Sequence, residues 1–298
     1  MGTFAVAGAT GRVGSATARS LLAAGANVRV LVRRQSDGDA WRARGAEARV
    51  VDLEDRAGLG SALEGCSGFF VLLPFDLTVD DLDAHAGTLI DSIAGAVADR
   101  RVPHVVMLSS GGADLAEGTG PITGLHRLEQ ALLATGTTLT ALRPGHFQEK
   151  VTDLIDVARE RGIYPVFAAS ADAPRPMVAT RDLGHLAADA LLAPPTVSEA
   201  VDVIGPAYSE RAVAVALGDA LGRQLQVATL PDEAWAGALA DAGMREHIAT
   251  SVAELYRADE QGLLAPRGDR SVRVHTSVGG TLDRLLDAAA SDERNKEY

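Results

Sequence analysis

Between positions 8 and 14 the chain reads Gly-Ala-Thr-Gly-Arg-Val-Gly. Three glycines at that spacing suit a loop that must turn tightly, let its backbone approach a pyrophosphate and let the next helix pack closely on the preceding strand. The first turn of such a helix presents free N–H groups and the positive end of its dipole. Gly8, Thr10, Gly11, Arg12, Val13 and Gly14 are therefore expected to form a phosphate cradle. The flanking segments are those the loop requires. The apolar run Thr3–Ala7 precedes it, the amphipathic segment Val13–Ala24 follows, and a second apolar run, Val28–Val32, comes next.

The choice of dinucleotide is read at the end of that second run, where an acidic residue would hold the ribose 2′-hydroxyl of NAD. Here stand Arg33 and Arg34. A guanidinium is permanently charged and can bind a phosphate with two parallel hydrogen bonds, so NADP(H) is expected over NAD(H). Arg12 is placed to assist. The alternative is that both arginines are solvated strand ends and that Asp37 turns back to a ribose.

The elements that must position these residues alternate between strand-length apolar runs and helical patterns. The runs are Thr3–Ala7, Val28–Val32, Ala48–Val51, Gly68–Leu73, His104–Leu108 and Thr138–Leu142, with helical segments such as Val13–Ala24, Leu82–Arg100 and Leu125–Thr135 between them. That alternation predicts an α/β fold with a doubly wound parallel Rossmann sheet. After Pro144 the pattern changes. Asp153–Arg161, Thr180–Leu192, Ser209–Leu221 and Asp232–Gly262 read as mostly helical, and Ala200–Ile204 as one more strand. The expected organisation is a Rossmann domain over 1–145, with 178–205 returning to it, and a smaller helix-rich substrate-binding lobe from 146–177 and 206–298. The stretch Ala168–Pro176 is read as a mobile loop, and the polar tail Ser291–Tyr298 is expected to fray.

A formal net charge of −12 argues against nucleic acid, whose phosphates are bound by clustered Lys and Arg. The opening residues run straight into a strand, without a basic segment and a long apolar stretch, so the expectation is a cytoplasmic protein with no membrane span. The single cysteine, Cys66, forms no internal disulfide. The seven histidines are scattered, and no cluster has metal-ligand spacing. The acidic run Asp76–Asp83 lacks the central Gly and terminal Glu of a calcium loop and reads as the start of a solvated helix. Trp41 and Trp235 read as packing residues.

Taken together, the Gly8–Gly14 loop, Val28–Arg34, Asp52-Leu53, Leu72–Pro74, Leu108–Ser110, Leu142–Phe147 and Pro176–Gly184 resemble the NmrA-like atypical short-chain dehydrogenase/reductases, in ordered succession over roughly 3–205. The resemblance implies that Asp52 contacts the adenine with Leu53 at its edge, and that Leu73 and Pro74 line the pyrophosphate and ribose. It also implies that Ser109 and Ser110 end the fifth strand beside the nicotinamide, with Pro144 to Phe147 closing the far side. Leu73, Pro74 and Phe147 can equally be read as core or turn residues.

In the orthodox members of that superfamily a Tyr-x-x-x-Lys pair supplies the proton. No tyrosine here has a lysine four residues on, and the corresponding region reads Pro121-Ile-Thr-Gly-Leu-His126. The remaining candidates are His126 and His146, whose imidazoles titrate near neutrality, and Ser110, which can hydrogen-bond a carbonyl oxygen. A hydroxylated aromatic substrate could instead supply its own proton. The resemblance extends to reductases of quinones and dyes and to tailoring ketoreductases of antibiotic pathways. The expected activity is thus NADPH-dependent reduction of a bulky aromatic, polyketide-like carbonyl or quinone by a monomer or homodimer. A non-catalytic NADP(H)-binding redox sensor is the alternative, and an epimerase or isomerase using bound cofactor is a third reading.

Overall fold

The computed structural model describes residues 2–296, with side chains to residue 287. The first half alternates strictly. In order come β1 (Thr3–Val6), α1 (Arg12–Ala23), β2 (Asn27–Val32), α2 (Gln35–Arg42), β3 (Glu47–Val50), α3 (Arg56–Leu63), β4 (Cys66–Leu72), α4 (Leu82–Arg100), β5 (His104–Leu108), α5 (Ile122–Ala134) and β6 (Thr138–Pro144). Then follow β7 (His146–Phe147), a 3₁₀ segment (Gln148–Leu154), α6 (Ile155–Arg161), β8 (Ile163–Val166), β9 (Arg175–Val178), α7 (Thr180–Leu192) and β10 (Glu199–Ile204). The remainder is β11 (Ala207–Tyr208), α8 (Glu210–Leu221), β12 (Gln226–Thr229), α9 (Trp235–Asp241), α10 (Glu246–Glu260), β13 (Arg270–Arg273) and α11 (Val278–Lys296).

Eight strands form one sheet in the order β13-β10-β6-β5-β4-β1-β2-β3, and each neighbouring pair is parallel. This is the expected doubly wound α/β sheet. Central strands such as β4 must be apolar on both sides because helices cover both faces, and Phe69, Phe70 and Val71 are fully buried. On one face, Leu63 of α3, Ile93 of α4 and Leu128 of α5 pack on Phe69, Val105 and Leu139. On the other, Leu21 of α1, Trp41 of α2 and Leu183 of α7 pack on Val30, Phe70 and Val106. Segment 178–205 lies against this sheet. β10 pairs with β6, and α7 approaches α1 so closely that a Cβ on Gly184 would lie 2.3 Å from the Ala16 methyl.

A third apolar cluster, with Tyr164, Val166, Met177, Val213, Leu217 and Leu282 at its centre, belongs to the segments around 146–177 and 206–287. Those segments are less purely helical than the sequence suggested. β8 pairs with β12, β9 lies between β7 and β11, and β13 joins the large sheet beside β10 although it falls within 206–298. The stretch expected to be a mobile loop is irregular over 167–174, yet it is anchored. Ala168 and Ala171 are buried, and Arg211 forks onto Asp172. In the acidic stretch, Asp76 accepts from Thr78 and Asp81 caps α4 through the Ala84 N–H. The side chains of the tail at 291–298 lie outside the described residues.

Candidate cofactor and substrate site

The Gly-rich loop crosses the carboxyl end of β1. Gly8 takes a left-handed conformation (φ +64°), which glycine adopts without the steric cost of a Cβ. A Cβ on Gly14 would stand 2.3 Å from the Gly8 carbonyl oxygen, so α1 can leave the strand at this angle only with glycine there. Gly11 caps α1 without a side-chain hydrogen bond. The first-turn N–H groups have no intrahelical acceptors and face outward beside exposed Thr10, Gly11 and Arg12. The Val13 side chain is buried in the sheet core, so only its backbone belongs to the cradle. This arrangement fits a pyrophosphate. Arg12 also donates to Thr152 Oγ1 at 3.0 Å, which ties the loop to the 3₁₀ segment.

At the end of β2 the two arginines part. Arg34 is held by Asp37 through two hydrogen bonds. Arg33 is exposed and makes no hydrogen bond or ion pair among the described residues, which leaves its guanidinium available for a phosphate. Asp37, the alternative ribose ligand, is thereby engaged. Asp52, beyond β3, is exposed and accepts the Glu54 N–H at 3.0 Å, while Leu53 leans on the core.

At β4 the side chains alternate in a way the sequence reading missed. Leu73 is 4% exposed and packs into the core against the α5 side. It is Leu72 that faces the loop, with its Cδ2 2.8 Å from where a Gly8 Cβ would stand. Pro74 is half-buried just beyond.

Ser109 and Ser110 end β5 with opposite orientations. The Ser109 hydroxyl is buried and donates to Glu129 Oε1 at 2.5 Å, and Glu129 in turn holds Arg143 in a buried ion pair. Ser109 is therefore committed to the sheet and its side chain is not free for a cofactor. The Ser110 hydroxyl makes no hydrogen bond among the described residues and is half-buried. The Gly111 N–H donates to the Pro144 carbonyl at 2.9 Å, which places the segment after β5 alongside Pro144 to Phe147. Pro144 is buried, and Phe147 packs on the α1 side of the core.

Both histidines are engaged. His126 Nδ1 donates to the Ala113 carbonyl at 2.9 Å and pins the 111–120 loop to α5. His146 Nε2 donates to Asp259 Oδ2 at 3.1 Å, and Arg175 pairs with the same carboxylate at 2.5 Å. Burial alone would raise the Asp259 carboxyl, but the hydrogen bond and charge of His146, with Arg175, hold it below the usual range. Beside this group, Glu210 is half-buried, and that desolvation would raise it, yet Lys150 and the Tyr164 hydroxyl keep it low.

Two further residues position the site and were not singled out from the sequence. Gln148 donates to the Met177 and Thr276 carbonyls and accepts from Thr281. Glu149 is buried and accepts the Thr180 N–H and hydroxyl, capping α7 from 31 residues away. A Gln-Glu pair just after Phe147 is the only sequence signal of either tie, because their partners are distant in the chain.

Comparison with known proteins agrees with this geometry. An NAD(P)H azoreductase of Xenophilus azovorans is 29% identical over 287 residues, covering 96% of this chain and 97% of the relative. A Citrobacter sp. triphenylmethane reductase solved with NADP(H) superposes with a TM-score of 0.78 at 21% identity, over 94% of this chain and 99% of that one. An NADPH-dependent quinone oxidoreductase of Escherichia coli, solved with NADPH, gives 0.73 at 20% identity over 95% and 99%. Residues 8–194 match the NAD(P)H-binding family, the same stretch that carries the sequence resemblance. With the phosphate cradle at Gly8–Gly14 and this match over more than half its length, the chain belongs to the NAD(P)H-binding family, and its cofactor is a nicotinamide dinucleotide.

Proposed function

We propose that the protein is an NADPH-dependent reductase whose acceptor is a quinone or other carbonyl of a bulky aromatic molecule, polyketide-like in size. Segments 146–177 and 206–298 serve as the substrate-binding lobe, save for β13 in the sheet. The observation that carries this reading is a juxtaposition at one sheet edge. The Gly8–Gly14 cradle ends β1, the Ser110 hydroxyl, unbonded among the described residues, follows β5, and β4 alone separates the two strands. Ligands of open α/β sheets bind outside the carboxyl ends of the strands. The end-to-end azoreductase relative supports NAD(P)H-dependent reduction.

In this reading the α1 N-terminus and Gly8–Gly14 hold the pyrophosphate, Arg33 takes the 2′-phosphate, and Asp52 and Leu53 border the adenine. The bound nicotinamide supplies the reducing equivalents. Ser110 orients the acceptor oxygen. His126 and His146 each donate to a fixed protein acceptor, so the reduced oxygen takes its proton from the acceptor's own phenol or from solvent.

The test is NADPH oxidation, followed by absorbance, with a panel of quinones and polycyclic aromatic ketones, beside equilibrium binding of NADPH and NADH. Turnover with preference for NADPH is expected. Tight NADPH binding with no turnover across the panel would overturn the reductase reading in favour of a redox sensor.

A further inference from the structure

Aromatic residues are sparse in this chain, at 4%, yet three converge in the lobe. Tyr256 on α10 stacks on Phe167 with ring centres 5.4 Å apart and planes at 29°. The Trp235 indole meets Tyr256 edge-on at 6.1 Å and 84°. Trp235 is itself fixed, buried and donating Nε1–H to the Leu230 carbonyl at 2.9 Å. The Tyr256 ring is thus held from two sides. Its hydroxyl is not held. Tyr164 donates to Glu210 at 2.8 Å and Tyr208 accepts the Val278 N–H at 3.3 Å, whereas the Tyr256 hydroxyl has no hydrogen-bond partner among the described residues. Tyr256 is half-buried, so this donor stays open to a ligand.

The position of that hydroxyl follows from its neighbours. One turn further along α10, Asp259 holds His146, two residues past Pro144 at the end of β6. The charges that act on the phenol are those of Glu210 and Asp153. Asp153 follows Thr152, the residue gripped by Arg12 of the Gly-rich loop. Tyr256 thus lies on the helix that Asp259 ties to His146, at the start of the segment that runs from the end of β6 to Thr152, the residue held by Arg12. Burial, with Glu210 and Asp153, pushes this phenol up, so it remains a neutral donor at any physiological pH.

We propose that Tyr256 donates a hydrogen bond to the carbonyl oxygen of a planar aromatic acceptor, with Phe167 and Trp235 fixing the angle of the phenol. The assignment rests on the reductase reading above. Ser110 and Tyr256 then both address the acceptor, one from the sheet edge and one from the lobe.

The test uses Tyr256→Phe, which keeps the stacked ring and removes only the hydroxyl. Binding of a naphthoquinone to the NADP+-loaded full chain is measured by calorimetry, with naphthalene as a carbonyl-free control, and KM for the quinone is measured in parallel. The variant is expected to weaken quinone binding roughly five- to tenfold, the value of one neutral hydrogen bond, and to raise KM by the same factor. Naphthalene and NADPH binding stay unchanged. An unchanged quinone affinity, an equal loss for naphthalene, or no quinone binding to the wild type would overturn the assignment. Quinone binding that depends on Tyr256 but is not followed by turnover would remove the reductase reading alone. Turnover with no effect of the variant would remove the Tyr256 assignment alone.

Discussion

Arg34 grips Asp37 with Nε and Nη2, at 2.9 and 3.2 Å from its two carboxylate oxygens. That fork spends one of two adjacent guanidinium groups on the protein and leaves Arg33, among the described residues, as the unpaired cation at the end of β2. A hydrogen bond to a charged group is worth about 1.5–3 kcal/mol. Arg33→Ala is therefore expected to raise the Kd for NADPH roughly 10- to 100-fold and to leave NADH binding unchanged. Arg34→Ala is expected to have the smaller effect. Fluorescence titration with the two nucleotides decides the matter. An equal loss for both would mean that Arg33 supports the loop instead of reading the 2′-phosphate.

How much of this could be read in advance depended on how local each signal was. The Gly8–Gly14 unit was legible because its strand, glycines and helix are contiguous, and each glycine has a steric task that sequence spacing expresses. β13 was not legible. Its four residues read Arg-Ser-Val-Arg, with only Val272 turned towards the core, and an edge strand needs no apolar run to pair on one side. Leu72 and Leu73 show a second limit. Adjacent residues of a strand point to opposite faces, so an error of one position exchanges a loop contact for a core contact. The ties of Ser109 to Glu129, Glu149 to Thr180 and His146 to Asp259 span 20, 31 and 113 residues. No periodicity encodes contacts at such separations.

The Ser109–Glu129–Arg143 group lies directly beneath the end of β5, where Ser110 begins. The Arg143 and Glu129 side chains are only 9% and 4% exposed. Removing one member of a buried pair strands the other charge, at a cost of about 3–5 kcal/mol. Replacing both by apolar groups of similar size is often neutral. Glu129→Leu alone is thus expected to lose that amount of unfolding free energy in urea, and the Glu129→Leu, Arg143→Met double variant to regain most of it. A single variant that loses less than about 1 kcal/mol would show that water reaches Arg143 and replaces the carboxylate.

His104, the first residue of β5, links the sheet to pH. It is 2% exposed and its Nε2 shares a hydrogen bond with Thr140 Oγ1 at 3.0 Å, while Nδ1 has no partner among the described residues. Burial pushes the imidazole down to about 4, and the attraction of Glu199 does not offset it. The unfolded chain binds this proton near pH 6.5, so across the window from about 6.5 to about 4 the unfolded state is protonated and the native state is not. The stability that His104 contributes by staying neutral is full above that window and falls as pH drops through it, by up to about 1.4 kcal/mol per pH unit. His104→Gln removes the titration. Urea unfolding of both proteins from about pH 7.5 to about pH 4.5 should show the wild type losing stability faster than the variant. Parallel curves would mean that the native sheet accepts the proton, with Nδ1 finding an acceptor once charged.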